Sequence, residues 1–346
     1  MELKAPCSLV RGGTSKALFF HPQDLPSDLK LREKFLLAAL GSPDPKQING
    51  IGTGSPHASK AAIISPSTQP NCDIDYNFMT VLIKEPLIEY SATCGNILSA
   101  VGPFAINEGL IAPTDPITKV RIYSVNKQLT VTAFVPTKEG RFDPEGQFHI
   151  DGVPSFGSKI DLEFTNRSET FPTGNKQDTI TVDNKPLQVT LIEGVAPTVL
   201  VKGEDVGIDP NCDISTLKHN HALLHYLEKI RQEGGKRLSG EVVQYLPKIS
   251  VVFPPKNGGH IRGFMLSLGK QHASFAVTCS IPTTYASAVA GTVAHEVAHP
   301  CKDRVILEHP SGSMEVKLKI ENDNLQSATI ARTARILMKG EVYSLV

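Results

Sequence analysis

Apolar residues recur at helical spacing from Leu29 to Leu40, and the run stops at Gly41-Ser42-Pro43, so the pattern predicts a helix with a glycine exit. The stretch from Gly95 to Glu108 is apolar nearly all round, which predicts a helix buried on every side. Thr283 to His299 reads as a second buried helix, and Ile214 to Gln232 as a surface helix with Lys218, His219, His221 and His225 on its solvated face. Alternation predicts strands elsewhere. Residues 7 to 20 form two strands around the corner Arg11-Gly12-Gly13-Thr14-Ser15, and others follow at 61–64, 76–84, 119–135, 249–253, 305–320 and 328–337. Hairpins surrounding one central apolar helix per half argue for an α+β fold, not a doubly wound parallel sheet.

The halves resemble each other. Thr93-Cys94 and Thr278-Cys279 each open an apolar, alanine-containing stretch, and hairpins turning at Asn126 and Ser311 follow; both pairs of landmarks are 185 residues apart. The same offset lays Ile122, Leu129 and Val131 over Leu307, Met314 and Val316. Such a match predicts two similar domains, residues 1–180 and 181–346, each with a thiol at the start of a buried helix. A chain of 346 residues is long enough to bury two cores of that size.

Charge narrows the partners. Thirty-five basic and thirty-five acidic residues cancel without a long run of one sign, so neither nucleic acid nor an anionic membrane is expected to bind, and the ligand is expected to be small. Met1 to Pro6 carries no apolar signal core and no window has the length of a membrane span, which favours a cytoplasmic protein. Six scattered cysteines without a CxxC pair read as free thiols in a reducing compartment. A homodimer is allowed but not required.

Candidate chemistry gathers at two places. A cysteine in the first turn of a helix meets the positive end of the dipole, which favours the thiolate, and Cys94-Gly95-Asn96 has that arrangement. Gly95 would let a ligand approach the amides of the first turn, which suit a carboxylate. Lys60 follows Ser59 at the mouth of the Gly-rich loop Asn49 to Gly54, where a partly desolvated amine can serve as a base. Arg11 either clamps a carboxylate or braces its corner. A competing motif is His295-Glu296-Val297-Ala298-His299, a literal H-E-x-x-H that would suit a zinc hydrolase, although Pro300 ends the helix at once. No GxGxxG follows a strand, and no cofactor or metal is otherwise expected.

Taken in order, several short motifs give a specific resemblance. They are Arg11 to Lys16, Gly41-Ser42-Pro43-Asp44 with Gln47 to Gly52, Ser59 to Ile64, Cys94-Gly95-Asn96, Pro172-Thr173-Gly174, Pro247-Lys248-Ile249, His309 to Gly312, and Arg332-Thr333-Ala334-Arg335. Nearly end to end, the chain resembles the 2-methylaconitate cis-trans isomerase (PrpF) family, which has the diaminopimelate epimerase type of fold. The resemblance implies two domains with the substrate between them and a cofactor-independent proton shift on an unsaturated di- or tricarboxylate. Lys60 would move the proton beside Cys94. Ser15, Ser59, Gly95, Asn96, Lys248, Thr278 and Ser311 would hold the carboxylates. Cys279 stands where the family usually has glycine, and would pair with Cys94 as in the racemases of this fold. His57, Val195-Ala196-Pro197 and Val153 to Phe156 also depart from the family pattern. Keto-enol tautomerisation of an oxo-dicarboxylic acid such as 4-oxalomesaconate is the close variant, and a carboxylate-binding protein without catalysis is a third reading.

Overall fold

A computed structural model describes residues 1–165, 170–241, 244, 246–267 and 269–346. The chain forms two compact units, Met1–Glu163 with Ala331–Val346, and Phe164–Ile330. This division differs from a single boundary at residue 180, and strand pairing is the reason. The last strand, Ala334–Leu345, runs antiparallel to Glu2–Gly12 from Glu2 opposite Leu345 to Gly12 opposite Ala334, which returns the C-terminal residues to the first unit.

In the first unit, Glu2–Gly12 also pairs antiparallel with Ser15–Phe20, closing the predicted corner around Gly13 and Thr14. Ser15–Phe20 is parallel to Lys60–Pro66, which is antiparallel to Ile74–Val81, which is parallel to Ile117–Ser124, which turns back as Leu129–Lys138. Helix α1 (Leu29–Leu40) has the predicted limits: Asp28 caps its start by accepting from Leu31 N, and Gly41 leaves it at φ +79°. Helix α2 (Gly95–Asn107) is buried at every position from Gly95 to Ile106, as its all-round apolar sequence requires. It lies so close to the sheet that a Cβ on Gly102 would meet Val135 Cγ2 at 2.6 Å.

The second unit repeats the order of pairings. Lys185–Ile192 is antiparallel to Thr198–Lys202, which is parallel to Lys248–Phe253, then antiparallel Ile261–Ser267, parallel Arg304–His309 and antiparallel Gly312–Glu321. Helix α3 (His221–Ser239) begins later than the apolar spacing predicts, because Asn220 caps it by accepting from Leu223 N after the 3-10 turn Ile214–His219. Leu223, Leu224, Leu227 and Ile230 pack into the core of this unit.

The second buried helix departs most from expectation. Helix α4 spans Val277–Ala288 and runs through Pro282, not from Thr283. Pro282 cannot donate, but Thr283 and Thr284 hydroxyls donate to the carbonyls of Cys279 and Ser280, each at 2.8 Å. The chain then breaks at Gly291, φ +91°, before Thr292 caps the short helix α5 (Val293–Val297).

The matched hairpins differ in their loops. Val131 stands opposite Ile122, whereas Val316 stands opposite Val305 and Met314 takes the place opposite Leu307. Ser124 pairs with Leu129 around four residues, while His309 pairs with Gly312 around Pro310 and Ser311 only. The apolar positions still point inward in both, because a two-residue change in a loop preserves the face of an alternating strand.

Candidate active site

Lys60 opens its strand directly after the Gly-rich loop, and the structure shows how that loop is held. Gln47, buried, donates from Nε2 to Ser59 Oγ at 2.8 Å and accepts at Oε1 from Gly54 N at 3.0 Å. Ser59 Oγ in turn donates to Val81 O at 2.7 Å. Ser59 is fully buried, so it braces the loop and does not present its hydroxyl to a ligand. His57 O accepts from Lys16 N at 2.8 Å, tying the loop to the corner strand. Burial, with help from Lys60, pushes the His57 imidazole down to about 4.

These supports bring three predicted residues together. Lys60 Nζ donates to Ser15 Oγ at 2.9 Å and lies 3.6 Å from Cys94 Sγ. Cys94 is the N-cap of α2, extended at φ −123°, ψ 105°, and the first helical bond runs from Leu98 N to Cys94 O at 2.9 Å. The amides of Gly95, Asn96 and Ile97 therefore precede that bond and have no partner within the helix. An amine, a thiol, a hydroxyl and first-turn amides share one corner of the first unit, a combination suited to moving a proton on an anionic guest.

The side chain of Asn96 is occupied structurally. Its Nδ2 donates to Thr14 Oγ1 at 3.1 Å and its Oδ1 accepts from Arg332 Nε at 3.1 Å. A Cβ on Gly13, already at φ +49°, would fall 2.1 Å from Asn96 Oδ1, so the corner needs glycine to seat against the helix start. Arg11 braces this corner: its Nη1 donates to Gly13 O at 2.9 Å and to Thr333 O and Oγ1 at 3.1 Å each. That answers the choice left open between clamp and brace.

Two neighbours of Cys94 escaped the sequence reading. Tyr76 Oη donates to Cys94 O at 3.4 Å, and burial, with Cys94 nearby, holds its phenol well above the ordinary range. Arg332 is almost fully buried; burial lowers its guanidinium to about 10, while Cys94 pulls in the opposite direction. Arg332 had a signal, since an arginine inside a strand-like apolar run needs a buried partner. Tyr76 had none.

The remaining predicted residues belong to the second unit. Cys279 is the third residue of α4 and wholly buried, and burial pushes its thiol up to about 11 against smaller opposing pulls from Lys248, Thr278 and Thr198. Lys248 starts its strand with its amide donating to Pro197 O at 2.7 Å. Thr278 is buried beside Cys279, and the Ser311 hydroxyl donates to Ala273 O. The H-E-x-x-H motif lacks its required geometry: α5 ends at Val297, Ala298 is extended at φ −87°, ψ 154°, and His299 N donates to His260 O at 2.8 Å. The two histidines are thus not on successive turns, and Glu296 is held by Lys202 at 2.9 Å. Among the described residues, no group of three His, Cys, Asp or Glu is placed to hold a metal ion. No helix among them is long and apolar enough to cross a membrane.

Comparison with known proteins agrees with this arrangement. The chain is 36% identical over 351 residues to the 4-oxalomesaconate tautomerase of Pseudomonas putida, covering 99% of this chain and 96% of that protein. The solved structure of a methylitaconate-delta-isomerase superposes with a TM-score of 0.83 at 30% identity, over 99% of this chain and 96% of the other. A hydroxyproline epimerase from Agrobacterium vitis, 13% identical with a TM-score of 0.61 over 98% of this chain and 92% of the other, shares the fold alone. The family model described as PrpF protein matches residues 2–345, and the chain belongs to that family of isomerases.

Proposed function

We propose that the chain catalyses a 1,3 proton shift on an unsaturated di- or tricarboxylic acid, either moving a carbon-carbon double bond or interconverting enol and ketone in an oxo-acid. The contact set of Lys60 Nζ with Ser15 Oγ and Cys94 Sγ, at the start of α2, carries this reading. Unprotonated Lys60 takes a proton from the carbon next to the conjugated system. The electron pair delocalises toward the carboxylate, and the proton returns at the far end of the three-atom unit. No electrons are gained or lost. A carbon acid of this kind is weak, so the growing negative charge needs fixed donors, which the amides of Gly95 and Asn96 and the dipole of α2 supply.

Cys94 keeps the amine company as a second polar group within reach of the same carbon. Cys279 carries no proton in this scheme, because its buried thiol is shifted away from ionisation. The oxo-acid version has support from the 36% identity with the Pseudomonas tautomerase, and the alkene version from the 30% identity with the methylitaconate enzyme. The test is solvent exchange. In heavy water, the wild type should incorporate deuterium into 4-oxalomesaconate, methylitaconate or an aconitate-type acid, and Lys60→Ala should slow this by roughly 10²- to 10⁴-fold while retaining the wild-type circular dichroism spectrum. Binding of all three acids without exchange would reject the enzyme reading.

A further inference from the structure

We infer that Arg332 is a positioning residue of this site, a buried cation that sustains the thiolate form of Cys94 and fixes Asn96 at the start of α2. The inference rests on the proton-shift reading and adds a residue to it. Arg332 is only 5% exposed, and burying a guanidinium is costly unless nearby groups compensate it. Its Nε donates to Asn96 Oδ1 at 3.1 Å and its Nη1 to Ala331 O at 2.8 Å, both neutral acceptors. Cys94 and Arg332 attract when the thiol is ionised, and by linkage whatever keeps the guanidinium charged also favours the thiolate.

The ionisable groups facing Cys94 come from three directions. Lys60 lies on the strand Lys60–Pro66, Tyr76 on Ile74–Val81, and Arg332 immediately before Ala334–Leu345. Two are cations and the third is a phenol kept neutral, so the local field has one sign. Arg332 also completes a chain of contacts, from Arg332 to Asn96 to Thr14, that locks the second residue of α2 against the glycine corner. Its loss should therefore alter both the charge at the thiol and the aim of the amides.

Alkylation of Cys94 separates this from turnover. With iodoacetamide at pH 6.5, where the thiolate share sets the rate, peptide mass analysis of the wild type should show Cys94 modified at least tenfold faster than the half-buried Cys72 and Cys301. Arg332→Met should slow Cys94 alkylation at least fivefold, and Arg332→Lys should recover most of the loss. Equal rates for Cys94 and the other two thiols in the wild type overturn the inference even if neither variant folds. In folded variants, wild-type alkylation in Arg332→Met, or equal slowing by Met and Lys, overturns it as well. None of these outcomes bears on deuterium exchange by Lys60, so the two readings fail separately.

Discussion

Cys94 and Cys279 follow threonine in the same dipeptide and open corresponding buried helices, yet they sit in different helical registers. Cys94 lies just outside α2 as its N-cap, extended and half-buried beside Lys60. Cys279 lies inside α4 as its third residue, with no exposed surface. The displacement arises because α4 begins at Val277 and tolerates Pro282, whereas α2 begins at Gly95. A register change of three residues thus separates a thiol that meets an amine from one packed as a small apolar side chain. Recurrence of a reactive residue type in a duplicated scaffold does not duplicate its chemistry.

The sharpest way to break this comparison is to remove each thiol. Cys94→Ala should lower turnover by roughly 10²-fold, in the range of a lost proton-transfer partner, while Cys279→Ala should change it less than about threefold. Steady-state kinetics on whichever acid exchanges deuterium provide the check. Equal losses would restore a symmetrical pair of catalytic cysteines.

A smaller effect contrasts the two units through pH. Burial favours the neutral form of His57 in one and of Cys279 in the other, from opposite sides of neutrality. The unfolded chain takes up a proton at His57 near pH 6.5 and the folded chain only near 4, so stability from this group falls as pH drops through that window. At Cys279 the unfolded chain loses its proton near pH 9.0 and the folded chain near 11, so stability falls as pH rises between them. Each contribution is on the order of 2–3 kcal/mol when complete. Denaturant titrations should show His57→Gln flattening the acid limb and Cys279→Ala the alkaline limb. The comparison weakens if both variants shift the same limb.

The smallest contrast lies in the hairpin turns. Asn126 accepts from Phe78 N at 2.8 Å and donates to Phe78 O at 2.9 Å and Tyr90 O at 2.8 Å, whereas the corresponding Ser311 hydroxyl makes one bond, to Ala273 O. Asn126→Ala should cost about 2–3 kcal/mol and Ser311→Ala about 1 kcal/mol in denaturant midpoints converted to free energy. Equal costs would mean that the four-residue loop does not depend on its side-chain bonds.

The sequence by itself determined the α+β class, the limits of α1 and α2, the repeat and the pairing of Lys60 with Cys94 through the family resemblance. These are properties of local pattern: periodicity fixes which face is apolar, Gly41 must leave its helix in a left-handed conformation, and a helix apolar all round must be covered. Only the tertiary structure decided that Ser59 braces a loop, that Arg11 holds its own corner, and that the H-E-x-x-H motif straddles a helix end. It also decided that Arg332 comes to Asn96 from a segment 236 residues away. In each case the outcome depends on which long-range partner reaches a polar group first, and spacing along a chain carries no record of that competition.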